Sequence, residues 1–335
     1  AIVNWKGFDI DNGQTVKFVA PNEQAAILNR VVSGNQASTW ISGRLESNGR
    51  VFLINPNGII FGYSSVVDVG GLVASTLNIT NENFLANNWL FESTGKKNGI
   101  SINTGSQINI KPNSYLWLFG NRVTNMSTIN AQASMVVMAA GEKVYVSEND
   151  SSNMFFEVTP NSSIDLSVSD NSIMINEDAS VDVMQGGSFG AFGHNVIQAG
   201  SIYLDAASVD GGNAIFSARN NLSLYNSSKI YTSGAGQQSG SVYLQAGNQL
   251  TIDSGSSIRV NGDFGGQGHH SSSFDHFVDA GVERDFWFRW IVPARGGLPV
   301  SKGGRHPFEF GRRPLHENRA FVFAPAFALL DGGLD

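Results

Sequence analysis

Ala214-Ile-Phe-Ser-Ala-Arg-Asn-Asn-Leu-Ser-Leu-Tyr-Asn-Ser-Ser-Lys-Ile-Tyr-Thr-Ser-Gly234 lies in register over Val242-Tyr-Leu-Gln-Ala-Gly-Asn-Gln-Leu-Thr-Ile-Asp-Ser-Gly-Ser-Ser-Ile-Arg-Val-Asn-Gly262. At an offset of 28 residues, Ala218 falls on Ala246, Leu222 on Leu250, Leu224 on Ile252, Ile230 on Ile258 and Gly234 on Gly262. The unit is a short strand, an Ala-Gly or Ala-Arg-Asn turn, a second strand, a polar turn and a third strand. An earlier copy is read at Met138-Ala-Ala-Gly-Glu-Lys-Val-Tyr-Val146, placing Ala140 on Ala246 and Val144 on Leu250. Self-similarity on this scale, with three strands per unit, predicts a solenoid. The expected fold is all-β, a right-handed parallel β-helix. Inward side chains stack on like neighbours in the coils above and below, and Asn, Ser and Thr fill the corners. About ten to thirteen rungs at roughly 4.8 Å predict a rod of some 50–60 Å. An antiparallel sandwich also uses many short strands, but a sandwich does not repeat in sequence.

Composition agrees with the repeat. The chain has 335 residues, 41 % hydrophobic, a formal net charge of −7 and no Cys. That apolar content excludes wholesale disorder, and no apolar run is long enough for a membrane-spanning helix. The absence of Cys removes disulfide scaffolds, thiolate zinc sites and cysteine nucleophiles. Net acidity argues against a nucleic-acid partner, which favours a basic stripe. Charged residues make up 15 %, against roughly 25 % in an ordinary soluble domain. Gly (38) and Asn (33) are abundant instead, so turns are many and the surface is polar without being charged. Short alternating runs such as Val16–Val19, Val51–Ile54, Ile100–Ile102, Ile108–Ile110 and Leu116–Leu118 read as strands. The best helix candidate is 22–30, with Asn22 as its cap.

Two features mark the ends. The chain opens at Ala1 without Met or an export signal, and strand-like text is under way by Ile2-Val3-Asn4-Trp5, so the N-terminus is read as cut. Near residue 266 the composition changes. Before it lie 32 of the 33 Asn; after it lie five of six His, seven of 13 Arg and nine of 22 Phe. The expected division is a β-helix domain over 1–265 and an anomalous tail over 266–335, frame-shifted or disordered.

The most specific stretch runs from Ile41 to Gly62. A turn at Ser47-Asn48-Gly49-Arg50 leads into a buried strand, Val51–Ile54. A tight turn follows at Asn55-Pro56-Asn57-Gly58, then another apolar strand from Ile59. Pro56 pre-sets φ for the second turn position, and Asn57 and Gly58 tolerate left-handed geometry. Alone, this is a well-made turn. It is preceded by Asn4-Trp5-Lys6-Gly7-Phe8, by Val16–Pro21 and by Leu28-Asn29-Arg30-Val31, and followed by Gly70–Ile79. These blocks, in this order, resemble the secretion domain of the filamentous haemagglutinin family, the exported partner of two-partner secretion systems in Gram-negative bacteria. The resemblance is dense over 1–80, looser over 81–146, and carried by coil repeats to about 265. The family's Asn-Pro-Asn-Gly-Ile motif stands here as Asn55, Pro56, Asn57, Gly58 and Ile59, supported by Asn4, Trp5, Phe8, Leu28, Asn29, Arg30 and Val31.

The resemblance implies a right-handed parallel β-helix with an N-terminal cap and a few extra-helical strands. It also implies a non-enzymatic role in export. The partner would be an outer-membrane β-barrel transporter with periplasmic POTRA domains, and the larger exoprotein would be an adhesin at the cell surface or secreted, reaching host cells. Neither a cofactor nor a metal is implied. The chain departs from the family pattern in two places: strands normally preceding the Asn-Trp block are missing, and the Asn-Pro-Asn-Leu signature is not found.

Asp165, Asp170, Asp178, Asp182, Asp205 and Asp210 invite comparison with β-helical polysaccharide lyases, the basis of the alternative reading as a carbohydrate-binding or carbohydrate-cleaving protein, but they are dispersed and lack a nearby basic partner. His194 is the only His before the tail, so a triad or multi-His metal site has no partners there. His269 and His270 sit at the compositional break. Gly186–Gly190 and Gly211-Gly212 are too short for a phosphate loop, and Glu142-Lys143 reads as a surface pair on a strand.

Overall fold

A computed structural model describes residues 1–32, 37–148, 153–159, 172–207, 211–225, 228–234 and 240–262, with short strands at Val278–Asp279, Trp287–Pro293, Phe308–Gly311 and Ala328–Leu330. The boundary expected at 265/266 and the His269–His270 pair lie outside the described residues, as do Asp165, Asp170 and Asp210.

To residue 262 the chain winds through three long sheets. The first runs from Ile2–Trp5 to Ser241–Ala246, the second from Thr39–Ile41 to Gln249–Ile252, and the third from Thr15–Phe18 to Ser257–Gly262. Each coil gives one strand to each sheet in turn, as in Arg50–Ile54, Ile59–Phe61 and Val66–Val69, and successive coils pair in parallel. This is the parallel β-helix that the repeat predicts. The 28-residue register is reproduced pair for pair: Ala218 with Ala246, Leu222 with Leu250, Leu224 with Ile252, Ile230 with Ile258 and Gly234 with Gly262. Among the described residues the first sheet has nine parallel strands, so the stack is about 40 Å long, shorter than expected. Residues between 76 and 99, together with 143–148 and 153–159, leave the coils, and the chain is spent there rather than on rungs.

Alternation fixes which side chains enter the coil. Along the first sheet Val51, Leu72, Leu116, Val136 and Phe189 stack inward, as do Leu53, Ala74, Leu118, Met138 and Ala191. The opposite face carries Phe52, Val73, Trp117 and Val137 in one column, and it too is buried. A second apolar cluster covers it, drawn from the two departures. The first holds the one α-helix among the described residues, Asn81–Leu85, and the strand Trp89–Glu92. The second is an antiparallel hairpin, Lys143–Glu148 and Asn153–Thr159, whose first strand pairs with Trp89–Glu92. Phe84, Phe91, Val144, Val146, Phe156 and Val158 thus cover the outer face of the first sheet. Each such buried side chain contributes roughly 1.5–3 kcal/mol.

Three expectations are corrected. The segment 22–30 is not a helix: Asn22 caps a turn, its Oδ1 accepting from the Gln24 and Ala25 amides at 3.0 and 2.8 Å. Ala26–Val31 is then a strand held between Ile2–Trp5 and Arg50–Ile54, and pairing on both edges overrides local propensity. The helix instead forms where Thr80 supplies a cap, its Oγ1 accepting from the Asn83 amide at 3.1 Å. The Met138 copy of the repeat holds only through Ala140; Val144 lies in the hairpin, not on Leu250. Lys143 pairs not with Glu142 but with Glu92, at 3.2 Å across the pairing of Lys143–Glu148 with Trp89–Glu92.

Candidate functional site

The Asn55–Ile59 motif is the corner between the first and second sheets. Asn55 is 1 % exposed and Asn57 6 %, and their polar groups are consumed inside the fold. The Gly58 amide donates to Asn55 O at 3.1 Å, closing a β-turn with Pro56 at its second position. Asn55 Oδ1 accepts from the Asn57 amide at 2.9 Å. Its Nδ2 donates to Ala37 O and Thr39 Oγ1, both at 3.1 Å. The Asn55 amide reaches Ser75 O in the following coil, at 3.0 Å. One carboxamide therefore shapes its own turn and ties it to the coil before, while its backbone ties it to the coil after.

Asn57 and Gly58 complete the corner. Asn57 O accepts from Ser38 Oγ at 2.8 Å, and its Oδ1 accepts from Lys96 Nζ. Pro56 O accepts from Asn98 Nδ2 at 3.0 Å. Of the two residues expected to use left-handed geometry only Gly58 has a positive φ, +116°, and a Cβ there would stand 2.8 Å from Ser38 Oγ. Ile59 is fully buried between Thr39 and Ile100.

The supporting blocks gather in the first coils beside this corner. Trp5 packs edge-on to Phe8 at 5.4 Å between ring centroids, and Phe8 stacks on Phe18 at 6.5 Å. Trp5 Nε1 donates to Asn29 Oδ1 at 3.0 Å. Leu28, Asn29 and Val31 are buried, whereas Asn4 is exposed and accepts from Arg30 Nη1 at 3.3 Å. Arg30 also donates to Ile79 O and, at 2.8 Å, to Asn81 Oδ1, clamping the helical departure onto the second coil. Burial lowers the guanidinium pKa, with Glu82 opposing the shift.

The remaining candidates do not converge. Asp205 accepts from Ser233 Oγ at 2.7 Å, burial raises the Asp182 pKa, and Asp178 lines an open groove of about 450 Å³ with Gln107, Thr128 and Asn130. Among the described residues no three His, Cys, Asp or Glu side chains come together as a metal site. His194 sits at a corner, its pKa lowered by burial and by Arg219. Gly187 and Gly212 are coil-stacking positions, a Cβ on Gly212 falling 2.3 Å from Gly187 O. Sequence reasoning missed Ser38, Lys96 and Asn98, which complete the corner; no local motif marks them, because they lie one coil away.

Comparison with known proteins agrees with this architecture. The family model of the TPS (two-partner secretion) secretion domain matches residues 1–244, and the chain belongs to that family. It is similar to heme/hemopexin-binding proteins of Haemophilus influenzae, 32 % identical over 176 residues to one and 41 % over 91 residues to another. Those matches cover 51 % and 27 % of this chain but only 18 % and 10 % of the relatives, so the chain spans less than a fifth of either. Among solved structures, the HMW1 secretion domain from Haemophilus influenzae aligns with a TM-score of 0.54 at 26 % identity, covering 78 % of this chain and 77 % of that one. The family is one of secretion domains of exoproteins rather than of enzymes. No helix among the described residues is long and apolar enough to cross a membrane.

Proposed function

We propose that the β-helix delivers a longer exoprotein to a dedicated outer-membrane β-barrel transporter, whose periplasmic POTRA domains engage it, and that it does so without catalysis. The reading rests on the secretion-domain match over residues 1–244, which spans the Asn55–Ile59 corner. In this account Asn55, Asn57 and Gly58 build the surface that the transporter meets, and their buried side chains act by shaping it. The exoprotein is then released or held at the surface of a Gram-negative cell. The relatives are named for heme/hemopexin binding; we place any such binding, or adhesion to host cells, in the exoprotein beyond this domain.

The test is secretion of the complete exoprotein with and without its cognate transporter. Export should require the transporter and should fall when Asn55 and Asn57 are both replaced by Ala, with the β-helix retained by circular dichroism. Equal export without the transporter would sink the proposal.

A further inference from the structure

Five Asn-Gly dipeptides stand in the sequence, beginning at Asn12, Asn48, Asn57, Asn98 and Asn261. Asn-Gly is the pair most prone to cyclise on itself, because the amide nitrogen after the Asn can reach its side-chain carbonyl carbon and glycine puts no Cβ in the way. The attack needs a free carboxamide, a free following amide and a backbone able to rotate.

Four of the five are held. Asn48 Oδ1 accepts from the Ala20 amide at 2.7 Å and its Nδ2 donates to Ala20 O at 2.8 Å, while the Gly49 amide donates to Ser47 Oγ at 3.0 Å. At Asn57 the side chain is engaged by Lys96 Nζ, and the Gly58 amide donates to Asn55 O at 3.1 Å. Asn98 is gripped through Nδ2, which donates to Pro56 O at 3.0 Å, and through its own carbonyl, which accepts from Thr76 Oγ1 at 2.9 Å. Asn261 and Gly262 belong to a strand whose backbone lies in parallel register with Lys229–Gly234.

Asn12 is different. Asn12 and Gly13 are exposed at the centre of a turn that the Gln14 amide closes on Asp11 O at 2.9 Å. Gly13 has a φ of +81°, and a Cβ built on it meets nothing within 4 Å. Among the described residues neither the Asn12 carboxamide nor the Gly13 amide has a hydrogen-bond partner. The turn is fastened at its outer residues, and its two central ones are left to rotate.

We propose that Asn12 is a site of spontaneous deamidation in the folded protein, and that the corner geometry spares Asn57 of the motif from the same reaction. The Gly13 nitrogen bonds to Asn12 Cγ as it loses its proton; the Cγ–Nδ2 bond breaks, and the amino group leaves with that proton as ammonia. The cyclic imide then takes up one solvent water. Opening at Cγ gives Asp, and opening at the main-chain carbonyl gives an isoaspartyl link that runs through Cβ. Nothing is oxidised or reduced. Either product adds a carboxylate beside Asp11. The isoaspartyl form also lengthens the turn that leads from the Ile10–Ile41 bridge into Thr15–Phe18, the outermost strand of the third sheet. The first coil thus carries a mark of the protein's age, and the motif corner does not.

The test incubates the purified 335-residue chain at mildly alkaline pH, where the attacking nitrogen loses its proton more readily. Peptide mass spectrometry follows each site, and labelling by an isoaspartyl methyltransferase reports the rearranged product. Reaction at Asn12 should be at least about tenfold faster than at Asn48, Asn57 or Asn98, since those sites must first break one or two hydrogen bonds. In urea, where no turn is held, that lead should disappear. Asn12→Gln, whose longer side chain cyclises far more slowly, should remove the isoaspartyl signal of the folded protein. Equal rates at the four sites in the folded chain, or Asn57 reacting first, would overturn the proposal. A lead for Asn12 that persists unchanged in urea would overturn it too, by assigning the difference to neighbouring sequence rather than to the fold. The site-resolved rates come from the wild-type chain, so the outcome does not depend on the variant folding.

Discussion

At the scale of single residues, the motif is a piece of structural carpentry. Asn55→Ala removes the acceptor of the Asn57 amide and leaves Ala37 O and Thr39 Oγ1 without their donor. It should destabilise the fold by about 1–3 kcal/mol, read as a lower urea midpoint. Gly58→Ala should cost a similar amount, about 1–3 kcal/mol, for the forced φ. Adding Ser38→Gly should restore only part of it, because it relieves the 2.8 Å approach but not the dihedral. A second residue-scale prediction concerns pH. The folded His194 pKa lies below its ordinary value, so the unfolded chain binds the proton more readily. Stability is therefore lost as pH falls below the unfolded value of about 6.5. His194→Asn should flatten the fall in urea midpoint between pH 7.5 and 5.5 relative to wild type; parallel profiles would reject the assignment. The turn itself was legible in Asn-Pro-Asn-Gly. Its partners were not, because a side chain one coil away carries no signal in the local text.

At the scale of elements, the decisive feature is the clip formed by Trp89–Glu92 and the hairpin of Lys143–Glu148 and Asn153–Thr159. It allows the first sheet to be apolar on both faces, as Met135–Ala140, buried at all six positions, shows. Phe156 is fully buried and meets Trp117 edge-on at 5.8 Å and Phe192 at 6.3 Å. Phe156→Ala should lower stability by about 3–5 kcal/mol and open the strands Lys143–Glu148 and Asn153–Thr159 to limited proteolysis, while strands on the far side of the solenoid keep their protection. Sequence alternation exposed the coil strands well, since a period of two survives in three to six residues. It misassigned Val144 because a strand of the hairpin and a strand of a coil have the same alternation. Only the partner across the sheet distinguishes them, and for Val144 that partner is Phe91, 53 residues earlier. The false helix at 22–30 has the same origin: a short apolar run does not say whether its edges will be paired.

At the scale of the whole molecule, each coil touches only its neighbours, so stability is a sum of local and nearest-neighbour contributions. Amide hydrogen exchange should be slowest in the central coils, such as Ile100–Ile102 and Tyr115–Gly120, and faster toward Gln249–Ile252; uniform protection would argue for all-or-none behaviour instead. The solenoid was readable because its repeat aligns residues that are neighbours in space, as the Ala218–Ala246 and Ile230–Ile258 pairs show. Its length was overestimated because nothing in the text announces that 76–99, 143–148 and 153–159 leave the winding. Those departures also set an order of events. The first coils pair with segments 20 to 29 residues away, whereas the clip joins Trp89 to Val146, a longer loop to close and a slower contact to make. A chain emerging from its N-terminus can wind several coils while Phe52, Val73 and Trp117 still face water. The molecule passes through a sticky half-finished form until residue 159 is present, so the interval in which it can be held, handed over or lost to aggregation is written into the distance between two strands.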